Sequence, residues 1–334
     1  MSAPPRAASA EEVPVLDLTP LIAGGDLAEL AARLRQACIT TGFFYVKNHG
    51  VAQPVIDDVF AAARRFFDLP LAERMAIRID DRFRRGYMPI GINQHPGYPP
   101  DLKESYEIGV DLPLDDPDVA AGLPLHGPNR WPAAHPWLRS AAEAYFDATT
   151  ALGRRLLRLF ALSLGMPEEY FLAWCRKPVI GTRLFHYPPA PVAAEPVFGV
   201  APHTDYGMIT LLTQDPIGGL ELRKRDGEWI ATPFIPGTFV INLGDLFRVW
   251  TNDLYVSNPH RVVNRTGRER YSIPTFFNLD YHAPVSCLPT CQSADNPPKY
   301  APIGSGEYLL SRFRTVQKYG TAVADLEREA AAVG

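Results

Sequence analysis

PHTDYGMITLLTQD, residues 202–215 of a 334-residue chain, sets His203 and Asp205 two positions apart at the head of a β-branched run. Runs of the same kind surround it. Between residues 180 and 282 come TRLFHY (182–187), GLELRKR (219–225), EWIATPF (228–234), TFVINLG (238–244), PHRVVN (259–264) and RYSIPTFFN (270–278), each short and parted from the next by turn signals. Asp226-Gly227 sits between two of them and reads as a hairpin turn. Short strands at this spacing predict a sandwich or barrel. Within it, His-x-Asp has two readings. Pro-His and Asp-Tyr-Gly are ordinary loop residues, so the stretch can be a surface turn. An imidazole and a carboxylate this close can also be two-thirds of a metal site.

A third ligand decides between them. It must stand near the end of a strand and project inward, and His260 in SNPHRVVN is the best candidate among eight histidines. Several strands separate it from Asp205, enough for a return strand to bring it alongside. Two imidazoles and one carboxylate make the facial triad of non-haem Fe(II) oxygenases, which leaves positions open for a chelating cosubstrate and for O2. The other histidines have plainer expectations. His95, His126 and His135 fall in a loop-rich region and should be solvated or hydrogen-bonded, His49 should lie in a turn, and His282 on the surface. His186 is out of phase with Arg183, Phe185 and Tyr187 in its strand and should face the other side.

Downstream of His260, Arg270 and Ser272 stand two apart in a strand and share a face. An arginine fork beside a hydroxyl holds a carboxylate through parallel hydrogen bonds, and Tyr187 could add a phenol. The trio suits the distal carboxylate of 2-oxoglutarate. The alternative is an arginine in an ordinary ion pair.

The rest of the chain frames this β-rich half. Residues 1–12 read as a flexible leader and VPVLDL (13–18) as a short strand. DLAELAARLRQACITTG (26–42) has helical apolar spacing and a glycine stop, and GFFYVKNHGV (42–51) is a strand. Helices are expected near 53–68, from LPLAERMAI, over 137–165 and at PEEYFLAWC, with long ordered loops from Arg82 to Pro136 and helix again from SGEYLLSRFRTVQKYG onward. We read 13–334 as one unit: a helical and loop region (13–177), a β core with the metal site (178–285), and a C-terminal lid with helices (286–334).

Apolar residues make up 46% of the chain and net charge is −4, so a large core can form and no basic patch points to nucleic acid. Cys38, Cys175, Cys287 and Cys291 are too scattered for a disulfide scaffold, and CLPTC lacks the partners of a zinc site. There is neither a signal-peptide core nor a membrane-length apolar run. The expectation is a cytoplasmic protein, a monomer, with a small-molecule substrate and neither nucleic-acid nor membrane partners.

The residues quoted so far match a known pattern. The chain resembles the isopenicillin N synthase-like Fe(II)/2-oxoglutarate-dependent dioxygenases from about residue 13 to 319, through VPVLDL, GFFYVKNHGV, HGPNRWP, RLFHYPP, PHTDYGMITLLTQD, NLGDLFRVWTND, HRVV and RYSIPTFFN. DLKESYEIG and KYAPIGSGEYLLSRF are similar to thymine 7-hydroxylase-like members in particular. The resemblance implies a mainly β fold with flanking α: a distorted double-stranded β-helix, or jelly roll, under an N-terminal helical layer and C-terminal helices. It implies Fe(II) on His203, Asp205 and His260, and 2-oxoglutarate held by Arg270, Ser272 and Tyr187. It implies O2 as co-reactant, with succinate and CO2 released as a substrate is hydroxylated or otherwise oxidised. Plant members usually carry an asparagine two residues before the tyrosine; Phe185 stands here, so that contact should be missing. Asp205 argues against a halogenase, where a small residue would leave room for chloride.

The substrate pocket should be capped by the 82–110 loops and the 305–319 helix. Arg183, Phe185, Tyr87, Glu107 and Phe276 are its candidate residues, with Tyr106 a further aromatic in the loops. Arg183 either meets a polar group of a ligand or pairs with Glu104 or Glu107. The set suits a small, flat or cyclic molecule with carbonyl or carboxylate groups, such as a pyrimidine. Two other functions stay open: a related iron oxidase that uses no 2-oxoglutarate, and a ligand sensor on the same fold.

Overall fold

The computed structural model describes residues 5–80, 82–190 and 197–316. The chain opens with β1 (Val15–Asp17), α1 (Thr19–Ala23), α2 (Ala28–Thr40), β2 (Phe43–Lys47), α3 (Gln53–Phe67) and α4 (Leu71–Ala76). Next come β3 (Gly86–Met88), β4 (Glu104–Gly109), α5 (Pro117–Ala120) and the long α6 (Pro136–Ser163). The β-rich half holds β5 (Pro178–Tyr187), β6 (Phe198–His203), β7 (Ile209–Gln214), β8 (Leu220–Arg223), β9 (Trp229–Ala231), β10 (Thr238–Leu243), α7 (Asp245–Trp250), β11 (His260–Val263) and β12 (Arg270–Asp280). β13 (Pro284–Val285), β14 (Ile303–Gly304) and α8 (Ser305–Val316) close the described chain.

Two sheets make a distorted double-stranded β-helix, open rather than closed into a barrel. The larger has the order β1-β2-β10-β7-β12-β5-β4-β3 and the smaller β6-β11-β8-β9. Both faces of the larger sheet are buried, and the period of two in its strands sorts side chains between them. In β2, Phe44 and Val46 enter the core under the helices, while Phe43 and Tyr45 point between the sheets. β10 repeats this with Phe239 and Ile241 outward and Val240 inward, and β5 with Leu184 outward and Phe185 and Tyr187 inward. α2 and α3 pack on α6 to cover the outer face. Gly42, at φ +68, ends α2 and turns the chain into β2; a Cβ there would lie 2.0 Å from the Val256 carbonyl oxygen.

Three expectations need correction. The stretch from Arg82 to Pro136 is not all loop: β3 and β4 extend the large sheet beyond β5. β4 is buried along its whole length although it carries two glutamates. Glu104 pairs with Arg74 and is hydrogen-bonded to His186, and Glu107 pairs with Arg183, so buried polar partners hide a strand from any apolar pattern. PEEYFLAWC yields only a 3₁₀ turn, Phe171–Trp174. The leader is partly tied down, since Ala7 bridges Ala231 and Arg6 pairs with Glu12 and Glu228. Residues 1–4 of that leader, and the expected helix beyond 316, lie outside the described residues. Asp226-Gly227 does turn the β8–β9 hairpin. Among the described residues no helix is long and apolar enough to cross a membrane.

Gly153 lets α6 approach β12: a Cβ there would stand 2.3 Å from Cδ2 of Phe277. Alanine would favour an isolated helix by about 1 kcal/mol, but overpacking here costs about 1–3 kcal/mol. Gly153→Ala should therefore lower the urea midpoint of unfolding; a raised midpoint would contradict this helix-on-sheet contact.

Candidate metal and cosubstrate site

His203 ends β6 and His260 begins β11, and the antiparallel register sets them directly opposite. Their ring centroids are 4.3 Å apart. Each ring is aimed from behind. Nδ1 of His203 donates to the Ala201 carbonyl at 2.9 Å, and Nδ1 of His260 to that of Asn258 at 3.2 Å. A carbonyl can only accept, so Nδ1 carries a proton and each ring turns Nε2 toward the shared point. Those Nε2 atoms lie 3.7 and 3.8 Å from Oδ1 of Asp205. One ligand atom from each of the three residues falls within 4.8 Å of the others. Phe43 meets His260 edge-on at 5.3 Å, so β2 buttresses the ring.

Asp205 is held through its other oxygen. Oδ2 accepts from Oγ1 of Thr210 at 2.5 Å and from Nδ2 of Asn242 at 2.6 Å. Thr210 and Asn242 are cross-strand partners on β7 and β10. The turn carrying Asp205 is pinned where Gly244 packs on Gly207; a Cβ on Gly244 would be 2.3 Å from the Gly207 carbonyl oxygen. Burial and the neighbouring rings of His260 and His95 hold His203 well below the usual imidazole range, so it stays neutral. Two imidazoles and one carboxylate, facing a cavity, fit Fe(II).

The same cavity is lined by Arg270, Ser272 and Tyr187. Arg270 is 0% exposed, yet no carboxylate among the described residues pairs with it. Its Nε donates to the Gly218 carbonyl, Nη1 to Ser272 Oγ at 3.2 Å and Nη2 to Gln214 Oε1 at 3.0 Å. The guanidinium lies over the Tyr187 ring at 4.5 Å, and the Tyr187 hydroxyl is 3.3 Å from Ser272 Oγ. A buried cation met only by neutral dipoles is costly unless an anion joins it.

Further along, Arg183 and Glu107 pair at 3.0 Å on neighbouring strands, and Arg183 lies over Phe276 at 5.2 Å. Phe185, Phe276, Arg183 and Glu107 all line the cavity. Tyr87 does not, contrary to expectation. It packs under the helices and its phenol donates to Glu104. Tyr106 is likewise core, bonded to the Arg130 carbonyl at 2.5 Å. Both belong to strands that read as loops in the sequence, and strand alternation sends them to the outer face. Conversely, His95 is not solvated: it is buried against the site, its ring 4.9 Å from that of His203. Arg84, Arg85, Asn93 and Lys103 complete the near wall, and Leu309, Phe313 and Val316 of α8 the lid; residues 317–319 of the expected lid helix lie outside the described residues. Nothing in the local sequence marks His95 or these cations, because they converge from an aperiodic Pro- and Gly-rich stretch. His186 faces away, bonded to Glu104 at 2.8 Å.

The family model of the 2OG-Fe(II) oxygenase superfamily matches residues 181–279, and that of the non-haem dioxygenase in morphine synthesis N-terminal region matches residues 13–134. The 2-oxoglutarate-Fe(II) type oxidoreductase hxnY of Emericella nidulans is 37% identical over 321 residues, covering 93% of this chain and 91% of that protein. This chain belongs to the 2-oxoglutarate–Fe(II) oxygenase superfamily. Among solved structures, the full-length thymine 7-hydroxylase of Neurospora crassa with alpha-KG superposes with a TM-score of 0.82 at 31% identity, covering 94% of this chain and 100% of that one. The same enzyme with alpha-KG and thymine gives 0.80 at 30%, covering 92% and 99%. As a 2-oxoglutarate–Fe(II) oxygenase the protein is an oxidoreductase that uses Fe(II), 2-oxoglutarate and O2.

In this oxygenase the Asn242 amide and Thr210 hydroxyl hold Oδ2 of Asp205 and leave Oδ1 turned toward the two imidazoles. Replacing a group that supports a metal ligand lowers metal affinity roughly 10–100-fold. Asn242→Ala should show that loss in anaerobic Fe(II) titration, and unchanged affinity would contradict the assigned support.

Proposed function

We propose that His203, Asp205 and His260 hold Fe(II), that Arg270 and Ser272, with Tyr187 alongside, receive the distal carboxylate of 2-oxoglutarate, and that a small, flat organic substrate lies against Phe276. The observation that carries this is Arg270, a fully buried guanidinium with no carboxylate partner among the described residues, opening on the cavity of the His-Asp-His cluster. When bound, Fe(II) and 2-oxoglutarate supply O2 activation coupled to decarboxylation, which oxidises a substrate C–H bond and releases succinate and CO2.

The chain's own residues position and exclude. The Ala201 and Asn258 carbonyls orient the imidazoles, and Thr210 and Asn242 orient Asp205. Arg270 supplies a fork whose planar geometry matches a carboxylate. Phe185 replaces an amide with an apolar ring beside the cosubstrate, and Phe313 and Val316 keep bulk water from the cavity. The Arg183–Glu107 pair offers a donor edge and an acceptor edge to a flat polar ligand over Phe276. On the sparse, scattered cysteines and near-balanced charge of the sequence, we take the protein to be a cytoplasmic monomer acting on free small molecules.

Asp205→Ala should abolish succinate formation and sharply weaken Fe(II) binding; full turnover in that variant would refute the ligand set. Arg270→Lys keeps the charge and loses the fork. At about 1.5–3 kcal/mol for a charged hydrogen bond, the KM for 2-oxoglutarate should rise roughly ten- to hundredfold. An unchanged KM would move the anchor elsewhere. Succinate release stimulated by thymine, uracil derivatives or heterocyclic acids identifies the flat class, whereas stimulation only by a long peptide or polysaccharide rules it out.

A further inference from the structure

Arg85, just before β3, is a second buried guanidinium on the cavity wall, 4% exposed. Nη1 donates to the Phe83 and Arg84 carbonyls at 2.9 and 3.2 Å, and Nη2 to the Leu125 carbonyl at 3.2 Å. Nε has no hydrogen-bond partner. Three acids, Glu107, Asp80 and Asp111, act on it through space and touch other groups. Glu107 pairs with Arg183, Asp80 accepts from the Phe83 amide at 2.6 Å, and Asp111 accepts from the Asn129 amide at 2.8 Å. No carboxylate among the described residues forms an ion pair with Arg85.

Its position is built. The guanidinium fills the space left by Gly109, where a Cβ would lie 2.1 Å from Nη2. Gly109 pairs with Gly181, Gly181 with Phe276, and Phe276 with Thr210, the residue that holds Asp205. Arg85 therefore stands at one end of a single row across the sheet and the metal face at the other. Along the row the Arg85 guanidinium covers Gly109, the Glu107 carboxylate covers Gly181 and Arg183 lies over Phe276. Three strand spacings make it roughly 14 Å from Gly109 to Thr210.

We propose that Arg85 receives an anionic group, a carboxylate, at the end of the substrate remote from the carbon that is oxidised. This rests on the reading of the cavity given above and deepens it. A buried guanidinium that hydrogen-bonds only to carbonyls, with Nε unpartnered and no carboxylate in contact, on the wall of a cavity, favours an anionic occupant. A molecule that reaches from the metal face to Arg85 must span this row, which calls for one longer than a single pyrimidine ring.

The test is anaerobic calorimetric binding to the protein loaded with Fe(II) and 2-oxoglutarate, which needs no turnover. The probes are benzoate, 3-phenylpropionate and 5-phenylpentanoate, each beside its primary amide. The native protein should bind the longer acids at least roughly tenfold more tightly than their amides, as one charged hydrogen bond provides, and Arg85→Gln should erase that preference. Gly109→Ala, which drives a methyl group into the guanidinium, should erase it too and carries the test if Arg85→Gln does not fold. Equal binding of acid and amide, no binding of any acid, or a preference that survives both substitutions would overturn the proposal. Failure of succinate formation would strike the oxygenase site instead, so the two failures are distinguishable.

Discussion

The β6–β11 register sets His203 opposite His260, and most of what this molecule can do depends on that pairing. Each ring is fixed by a carbonyl two residues back, and Asp205 reaches the same point from a turn pinned by Gly207 and Gly244. The larger sheet then closes the arrangement from the other side, because Thr210 and Asn242 stand opposite each other on β7 and β10 and share one carboxylate oxygen. Two sheets must therefore keep register at once. The helical layer keeps the second sheet in place by burying Phe44, Val46, Phe239 and Ile241 on its outer face.

The cavity between the sheets is unusual in its cations. Arg183 is answered by Glu107 and Lys103 by Asp101. Arg270 and Arg85 hydrogen-bond only to neutral groups, with no carboxylate in contact among the described residues. Burying a charge without an ion-pair partner costs several kcal/mol, which is the ground for proposing these two positions as ligand anchors. They lie on different parts of one cavity wall, and the proposed reading gives one the cosubstrate and the other the substrate.

Alternation makes much of this legible in the sequence. Strands buried on both faces still alternate in which core they enter, so TFVINLG and RYSIPTFFN can be read, and with them the inward phase of Arg270, Ser272 and Tyr187. Spacing also brings out His203, Asp205 and His260. What escapes is whatever depends on distant charge. ESYEIG looks like a polar loop until Arg74, His186 and Arg183 are placed beside its glutamates. Without that strand, Tyr87 and Tyr106 fall to the cavity rather than the core, and nothing gives His95 or Arg85 a place.

The central claim is that the metal face on β6 and β11 holds Fe(II) with room for a chelating keto acid. Anaerobic titration of 2-oxoglutarate into the Fe(II)-loaded protein tests it directly. The account predicts a visible metal-to-ligand charge-transfer band that grows to one equivalent and is absent in His260→Ala. A native protein that binds Fe(II) and 2-oxoglutarate without developing the band, or a His260→Ala protein that develops it in full, would contradict it.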